Sequence, residues 1–116
     1  MNDATRRAAA YIGGRLVTGK DASSIFDYAA GRHFSMGGEV SEQNVNVYDY
    51  EGGCHIGGTP PSLYHYGGGA HLDVEVSGAK FKGYHYGDSS HYEATVTDNS
   101  ISLYDYSTGQ YYNYSL

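Results

Sequence analysis

The chain has 116 residues, the size of one domain, and 13 acidic against 7 basic side chains give it a formal charge of −6. Such a field repels phosphate backbones and anionic lipid headgroups, so neither nucleic acid nor a membrane is expected as a partner. With 17 glycines, 14 tyrosines, 2 prolines and no tryptophan, the composition suits short strands and tight turns rather than helices.

Taken from the N-terminus, Asp3 to Ala10 reads as a short helix capped by Asn2 or Asp3. Arg6–Arg7 precede an apolar run that is broken at Gly13–Gly14, too short for a secretory signal or a membrane span. Ile12-Gly13-Gly14-Arg15-Leu16 resembles Met36-Gly37-Gly38-Glu39-Val40, so a degenerate extra strand is expected there. Residues 1–21 therefore form an N-terminal segment and residues 22–116 a β-hairpin repeat domain.

The repeat is the main signal. Five segments share one pattern: FDYAAGRHF (26–34), YDYEGGCHI (48–56), YHYGGGAHL (64–72), YHYGDSSHY (84–92) and YDYSTGQYY (104–112). Their reference tyrosines, Tyr28, Tyr50, Tyr66, Tyr86 and Tyr106, lie 22, 16, 20 and 20 residues apart. Each unit reads as a two-residue hairpin in which Tyr50 faces His55 across a Gly52–Gly53 corner, with equivalent corners at Ala30–Gly31, Gly68–Gly69, Asp88–Ser89 and Thr108–Gly109. At the opposite end, Val40/Val45, Val76/Phe81 and Val96/Ile101 flank corners at Glu42–Gln43, Gly78–Ala79 and Asp98–Asn99, and a looser bend at Gly57 to Pro61 stands in the second repeat. The fold class is all-β: an up-and-down antiparallel meander of about ten strands. These hairpins of about 20 residues resemble in style the repeat modules of surface carbohydrate-binding and MORN-type proteins, whose tryptophan and spacing signatures this chain lacks.

Strand alternation sorts the side chains onto two faces. The core face carries Ile25, Phe34, Met36, Val40, Val45, Val47, Ile56, Leu63, Leu72, Val74, Val76, Phe81, Ala94, Val96, Ile101, Leu103 and Leu116, joined by Tyr92, Tyr112 and Tyr114. The other face carries Tyr48, Tyr50, Tyr64, Tyr66, Tyr84, Tyr86, Tyr104 and Tyr106, with His55, His71 and His91 between them. A flat sheet with one apolar face must close, fold over or pair with a second copy, so a barrel, closed or flattened, is expected as a monomer, or else a homodimer of open sheets. A short helix cannot cover about 45 Å of flat sheet, and the dense Val/Ile/Leu/Phe interior is expected to fill a collapsed lumen.

The outer histidines do not make a metal site: His55 and His71 sit on strands about 10 Å apart, whereas zinc ligands converge within about 2.1 Å of one ion. Cys54 and His55, adjacent on one strand, point to opposite faces and make no catalytic pair. As the chain's single cysteine, Cys54 has no intramolecular disulfide partner, which favours a reducing, cytoplasmic setting. A second row, Asp27, Asp49, His65, His85 and Asp105, faces inward, and closure would bring it into a polar ring at one barrel mouth. The expected function is a non-enzymatic binding or scaffold module that presents its Tyr/His face to a protein or carbohydrate partner, without cofactor or metal. The alternative is a small-ligand-binding barrel with the Asp/His ring as its rim.

Overall fold

The computed structural model describes residues 1–116. One helix, α1 (Asp3–Thr18), precedes five hairpins. These are β1 (Ser24–Asp27) with β2 (Arg32–Val40), β3 (Val45–Asp49) with β4 (Cys54–Thr59), and β5 (Ser62–His65) with β6 (Ala70–Asp73). After β7 (Glu75–Ser77) come β8 (Lys80–His85) with β9 (Ser90–Thr97), and β10 (Ser100–Asp105) with β11 (Gln110–Ser115). The sheet runs β6-β5-β4-β3-β2-β1-β11-β10-β9-β8-β7, and a further β6–β8 pairing closes it. Leu72↔His85 and Glu75↔Lys82 share one register, so β6 and β7 are halves of a single strand interrupted at Val74. The result is a closed, ten-stranded antiparallel barrel with up-and-down connections, and closure leaves almost no open sheet edge.

The three second-end corners lie where the valine spacing places them, with Val40↔Val45, Val76↔Phe81 and Val96↔Ile101 paired. The bend in the second repeat is tighter than expected, because Thr59 pairs with Ser62 around Pro60–Pro61. The motif corners differ more. Asp49 pairs with Cys54 and Tyr48 with His55, so residues 50–53 form a four-residue loop where a two-residue corner is expected. In this loop the motif aspartate supports the wider turn, as Asp49 Oδ1 accepts from the Glu51 and Gly52 N–H groups, each at 3.0 Å, while the loops after His65 and His85 reach the same width without one. The turn closes with the Gly53 N–H on the Asp49 carbonyl at 2.8 Å, and Gly53 takes φ +64°. The register moves by two residues, which leaves every side chain on its expected face.

The largest departure concerns the lumen. The helix does not end at Ala10 but runs to Thr18, so the extra strand expected at Ile12–Leu16 does not exist. Asn2 caps it by accepting the Thr5 N–H at 2.8 Å, and Gly19 ends it at φ +71°. Thr5 through Arg15 are buried without a break, so every side of α1 is covered: the helix stands inside the barrel. Strand side chains alone do not fill the interior. Ala8, Ala9, Ala10, Gly13 and Gly14 give the helix a slim body that a closed lumen accepts. A Cβ on Gly13 would lie 2.3 Å from the Phe81 ring, and one on Gly14 2.5 Å from Ile101. The glycines that look like a helix break are thus the places where barrel side chains touch the helix backbone. Most of the expected core face is buried around α1, with Val40, Tyr112 and Leu116 half-buried. Val76 alone is exposed, because β7 lies beyond the closing pair. At 16 residues α1 is not long and apolar enough to cross a membrane.

Candidate functional site

The outer face bears five aromatic clusters, one beside each motif loop. In the second repeat, Tyr48 meets His55 edge to face at 4.8 Å between ring centroids and Tyr50 at 5.0 Å. Tyr64 holds His71 and Tyr66 at 4.9 and 4.8 Å, and Tyr84 holds His91 and Tyr86 at 4.7 and 4.8 Å. Tyr104 stands between Tyr106 and Tyr111, each at 4.8 Å, and Phe26 plays the same part between Tyr28 and His33. Edge-to-face contact satisfies the ring quadrupoles and fixes the loop tyrosines in place. Each loop tyrosine also ties its hairpin to the next: Tyr50, Tyr66, Tyr86 and Tyr106 donate their backbone N–H to the carbonyls of Ser35, His55, His71 and His91. The strand tyrosines are half-buried, whereas Tyr50 and Tyr66 remain 64% and 65% exposed. His55, His71 and His91 are exposed as well.

The Tyr86 and Tyr106 hydroxyls donate to Asp73 at 3.0 Å and Glu93 at 2.9 Å, and those hydrogen bonds push both phenols above their ordinary range. No group of three or more His, Cys, Asp or Glu side chains converges to hold a metal ion.

The outer face is not uniform. Cross-strand pairing lines up Glu39, Asn46, Gly57, Tyr64 and His71 across β2 to β6. Gly57 leaves a gap in this row, which opens into a groove of about 1050 Å³ with Asn46 on one side and Tyr64 and His71 on the other. A second row across β7 to β9, Glu75, Lys82 and Glu93, alternates in charge.

The inner row does form a ring, around the N-terminal turns of α1. Asp27, Asp49, His65, His85 and Asp105 are all buried. The helix brings it two arginines: Arg6 Nε donates to Asp105 Oδ2 at 3.1 Å, and Arg7 Nη1 to Asp27 Oδ2 at 3.3 Å. The guanidinium groups stack at 3.6 Å over the rings of Tyr112 and Phe34, respectively. His65 Nδ1 meets Thr5 Oγ1 at 3.1 Å, and His85 Nδ1 meets Asp88 Oδ1 at 3.0 Å. The aspartates hold their own loops as well, since Asp27 and Asp105 accept loop N–H groups as Asp49 does. The ring therefore works as the socket of the helix, and α1 occupies the space that a ligand behind an Asp/His rim would need. Burial opposes the ionised form of Asp105, yet hydrogen bonds from Ser107 and Arg6 win and hold its carboxyl below the usual range.

One juxtaposition escaped the sequence reading. Cys54 meets not its neighbour His55 but His65 on β5, with Sγ to Nε2 at 3.6 Å. With Thr5 on the far ring nitrogen, this has the outline of a nucleophile, base and orienting group. Its electrostatics run the other way: burial and the Asp49 charge push the Cys54 thiol up, and burial pulls His65 down, so both are held neutral. Asp49 Oδ2 and Arg7 Nε are buried without a hydrogen-bond partner. A spacing argument along one strand cannot reveal the Cys54–His65 contact, because it depends on the β4–β5 register that the bend at Pro60–Pro61 sets, with Ile56 opposite His65.

Comparison of the chain with protein-family models, with curated proteins and with solved structures finds no match.

Proposed function

We propose that the protein is a non-enzymatic binding or scaffold module whose outer Tyr/His face meets a protein or carbohydrate partner. The observation that supports this most is the set of loop tyrosines, Tyr28, Tyr50, Tyr66, Tyr86 and Tyr106, each more than half exposed beside one end of the barrel. Large aromatic side chains left in water on a rigid sheet, with a polar hydroxyl at the tip, are the residues that recognition surfaces favour. Their positions are fixed by edge-to-face packing and backbone bonds, so little conformational freedom is lost on binding. Asp27, Asp105 and His65 of the lumen are already engaged by Arg7, Arg6 and Thr5 of α1, which favours the outside as the surface that acts.

A glycan array and a protein array probed with the wild type and with a Tyr50→Ser/Tyr66→Ser/Tyr86→Ser/Tyr106→Ser variant test this reading. Binding by the wild type that the variant loses, with its far-ultraviolet circular dichroism retained, is the expected result. A wild type that binds nothing on either array, or a variant that binds equally well, contradicts it.

A further inference from the structure

Building on the outer-face reading, we infer that the groove over Gly57 is the binding subsite and that its ligand class is a neutral oligosaccharide. Four observations lead there. First, the second repeat is the shortest unit of the array, its reference tyrosine only 16 residues before that of the third where the other spacings are 22, 20 and 20, and the groove lies over this shortened unit. A deviation that removes side chains from the outer face while the inner face stays packed with Ile56 and Leu63 is a change in surface shape, not in core.

Second, the lining carries no carboxylate, ammonium or guanidinium group, although the chain bears a formal charge of −6. The grooves over β8 and β9 are, by contrast, lined by Glu75, Lys82 and Glu93. A charged ligand would find no counter-ion here, whereas a neutral polyol loses nothing by its absence.

Third, the groups present match sugar chemistry. The Asn46 amide offers an acceptor and two donors, Asn44, whose Nδ2 already donates to Glu39 at 2.7 Å, keeps its acceptor and one N–H, Ser62 adds a hydroxyl, and His55 and His71 contribute ring nitrogens. Tyr64 and Tyr66 supply aromatic surface beside them. Gly57 lowers the floor to the backbone, so a flat ring can approach the sheet closely.

Fourth, the geometry disfavours a peptide. Strand addition needs an open sheet edge, and the barrel is closed. The aliphatic residues at this groove, Val45 and Leu63, are buried in the core with their side chains committed there, so its exposed hydrophobic surface is aromatic, from Tyr64 and Tyr66, as ring stacking on a sugar requires.

Affinity gel electrophoresis through galactomannan, laminarin or hydroxyethyl cellulose, with polygalacturonate as the acidic control, provides the test. Retardation is expected in at least one neutral gel and not in polygalacturonate. Gly57→Thr fills the groove from its floor, and its new Cβ meets only the Val45 carbonyl at 3.3 Å. Asn46→Trp, on the exposed outer face of β3, fills it from the wall. Each is expected to weaken retention about tenfold or more, while Thr95→Ala, on the exposed outer face of β9 and outside both the groove and the aromatic clusters, leaves it unchanged. Neutral-gel retention that survives both filling variants overturns the groove assignment and leaves the outer-face reading standing. Retention in polygalacturonate alone, or binding on a protein array with no retardation in any neutral gel, overturns the ligand class. Absence of binding on every surface removes both readings together.

Discussion

Arg6 Nε donates to Asp105 Oδ2 across 3.1 Å in the barrel mouth, and both side chains are almost wholly removed from solvent. This pair joins the first turns of α1 to the end of β10, at a separation of 99 residues in the chain. A barrel of hairpins is made of local contacts, so bonds of this kind are what make helix and barrel one cooperative unit.

Removing one partner takes away part of the other's pairing, since Asp105 also accepts from the Met1 amine and Ser107 and Arg6 also donates to Asp3. Arg6→Met alone is expected to destabilise the protein by about 1–3 kcal/mol. Arg6→Met with Asp105→Asn is expected to recover part of that loss, although Asp105 also holds its loop through the Ser107 N–H at 2.9 Å. Urea denaturation of the two single variants and the double variant measures the coupling. Strict additivity of the two effects would show that the pair contributes nothing.

Stability is expected to fall on acidification in two windows. His65 has a folded-state pKa below its ordinary 6.5 because burial disfavours the imidazolium. Its contribution is therefore complete above 6.5 and is lost as pH falls from there through the lower folded value. Asp105, and Asp88 beside it, are held below the usual carboxylate range, so their contributions are present above about pH 4 and disappear below it. Melting temperature against pH should show both steps, and His65→Gln should remove the upper one. An upper step that survives in His65→Gln belongs to another group.

Asp49 divides its two oxygens unequally. Oδ1 holds the 50–53 loop, while Oδ2 is buried with no partner. Asp49→Asn keeps the acceptor and removes an unpaired carboxylate, so it is expected to be neutral or stabilising. Asp49→Ala loses the turn bonds and is expected to cost about 1 kcal/mol. Chemical denaturation of both variants decides, and an Asn variant weaker than the Ala variant would mean that the negative charge itself is required.

The same carboxylate acts on Cys54. Since burial first and the Asp49 charge second push the thiol up, Cys54 is expected to react with Ellman's reagent more slowly than free glutathione at pH 8. Asp49→Asn should accelerate it. A thiol faster than glutathione would indicate activation by His65 instead.

Helix packing gives the sharpest steric prediction. Gly13→Ala gains helix propensity worth about 1 kcal/mol, against overpacking that typically costs about 1–3 kcal/mol. With the Phe81 ring 2.3 Å from the new Cβ, overpacking is expected to win. Phe81→Leu introduced into the Gly13→Ala background should restore part of the loss. Thermal melts of the single and double variants check this.

Much of this architecture is legible in the residues. The period of the Tyr-centred motif gives the hairpins, and alternation within each strand puts Tyr48, Tyr64, His55 and His71 outside and Ile56 and Leu63 inside. Those assignments survive the change from two-residue corners to four-residue loops because the register moves by an even number. The helix is where the reading runs out. Ala8 to Gly14 carry no periodic apolar stripe, since a helix surrounded on all sides needs none, and Gly13–Gly14 look like a break when their role is clearance for Phe81 and Ile101. For the same reason the Asp/His row reads as an open rim: its partners Thr5, Arg6 and Arg7 come from a segment that local pattern places outside the barrel. The groove at Gly57 is half visible, as an irregular repeat whose three-dimensional meaning waits on the neighbours Asn46 and Tyr64.

The measurement that bears most directly on this architecture is native-state hydrogen exchange of the α1 amides. If α1 is the core of the barrel, Ala9 to Ile12 should exchange only through global unfolding, with the same protection as Val47 on β3 and Leu103 on β10. Exchange of the helix amides at a much lower free energy than the strands would show that the barrel stands without its helix. The lumen and its Asp/His ring would then be open to a ligand after all.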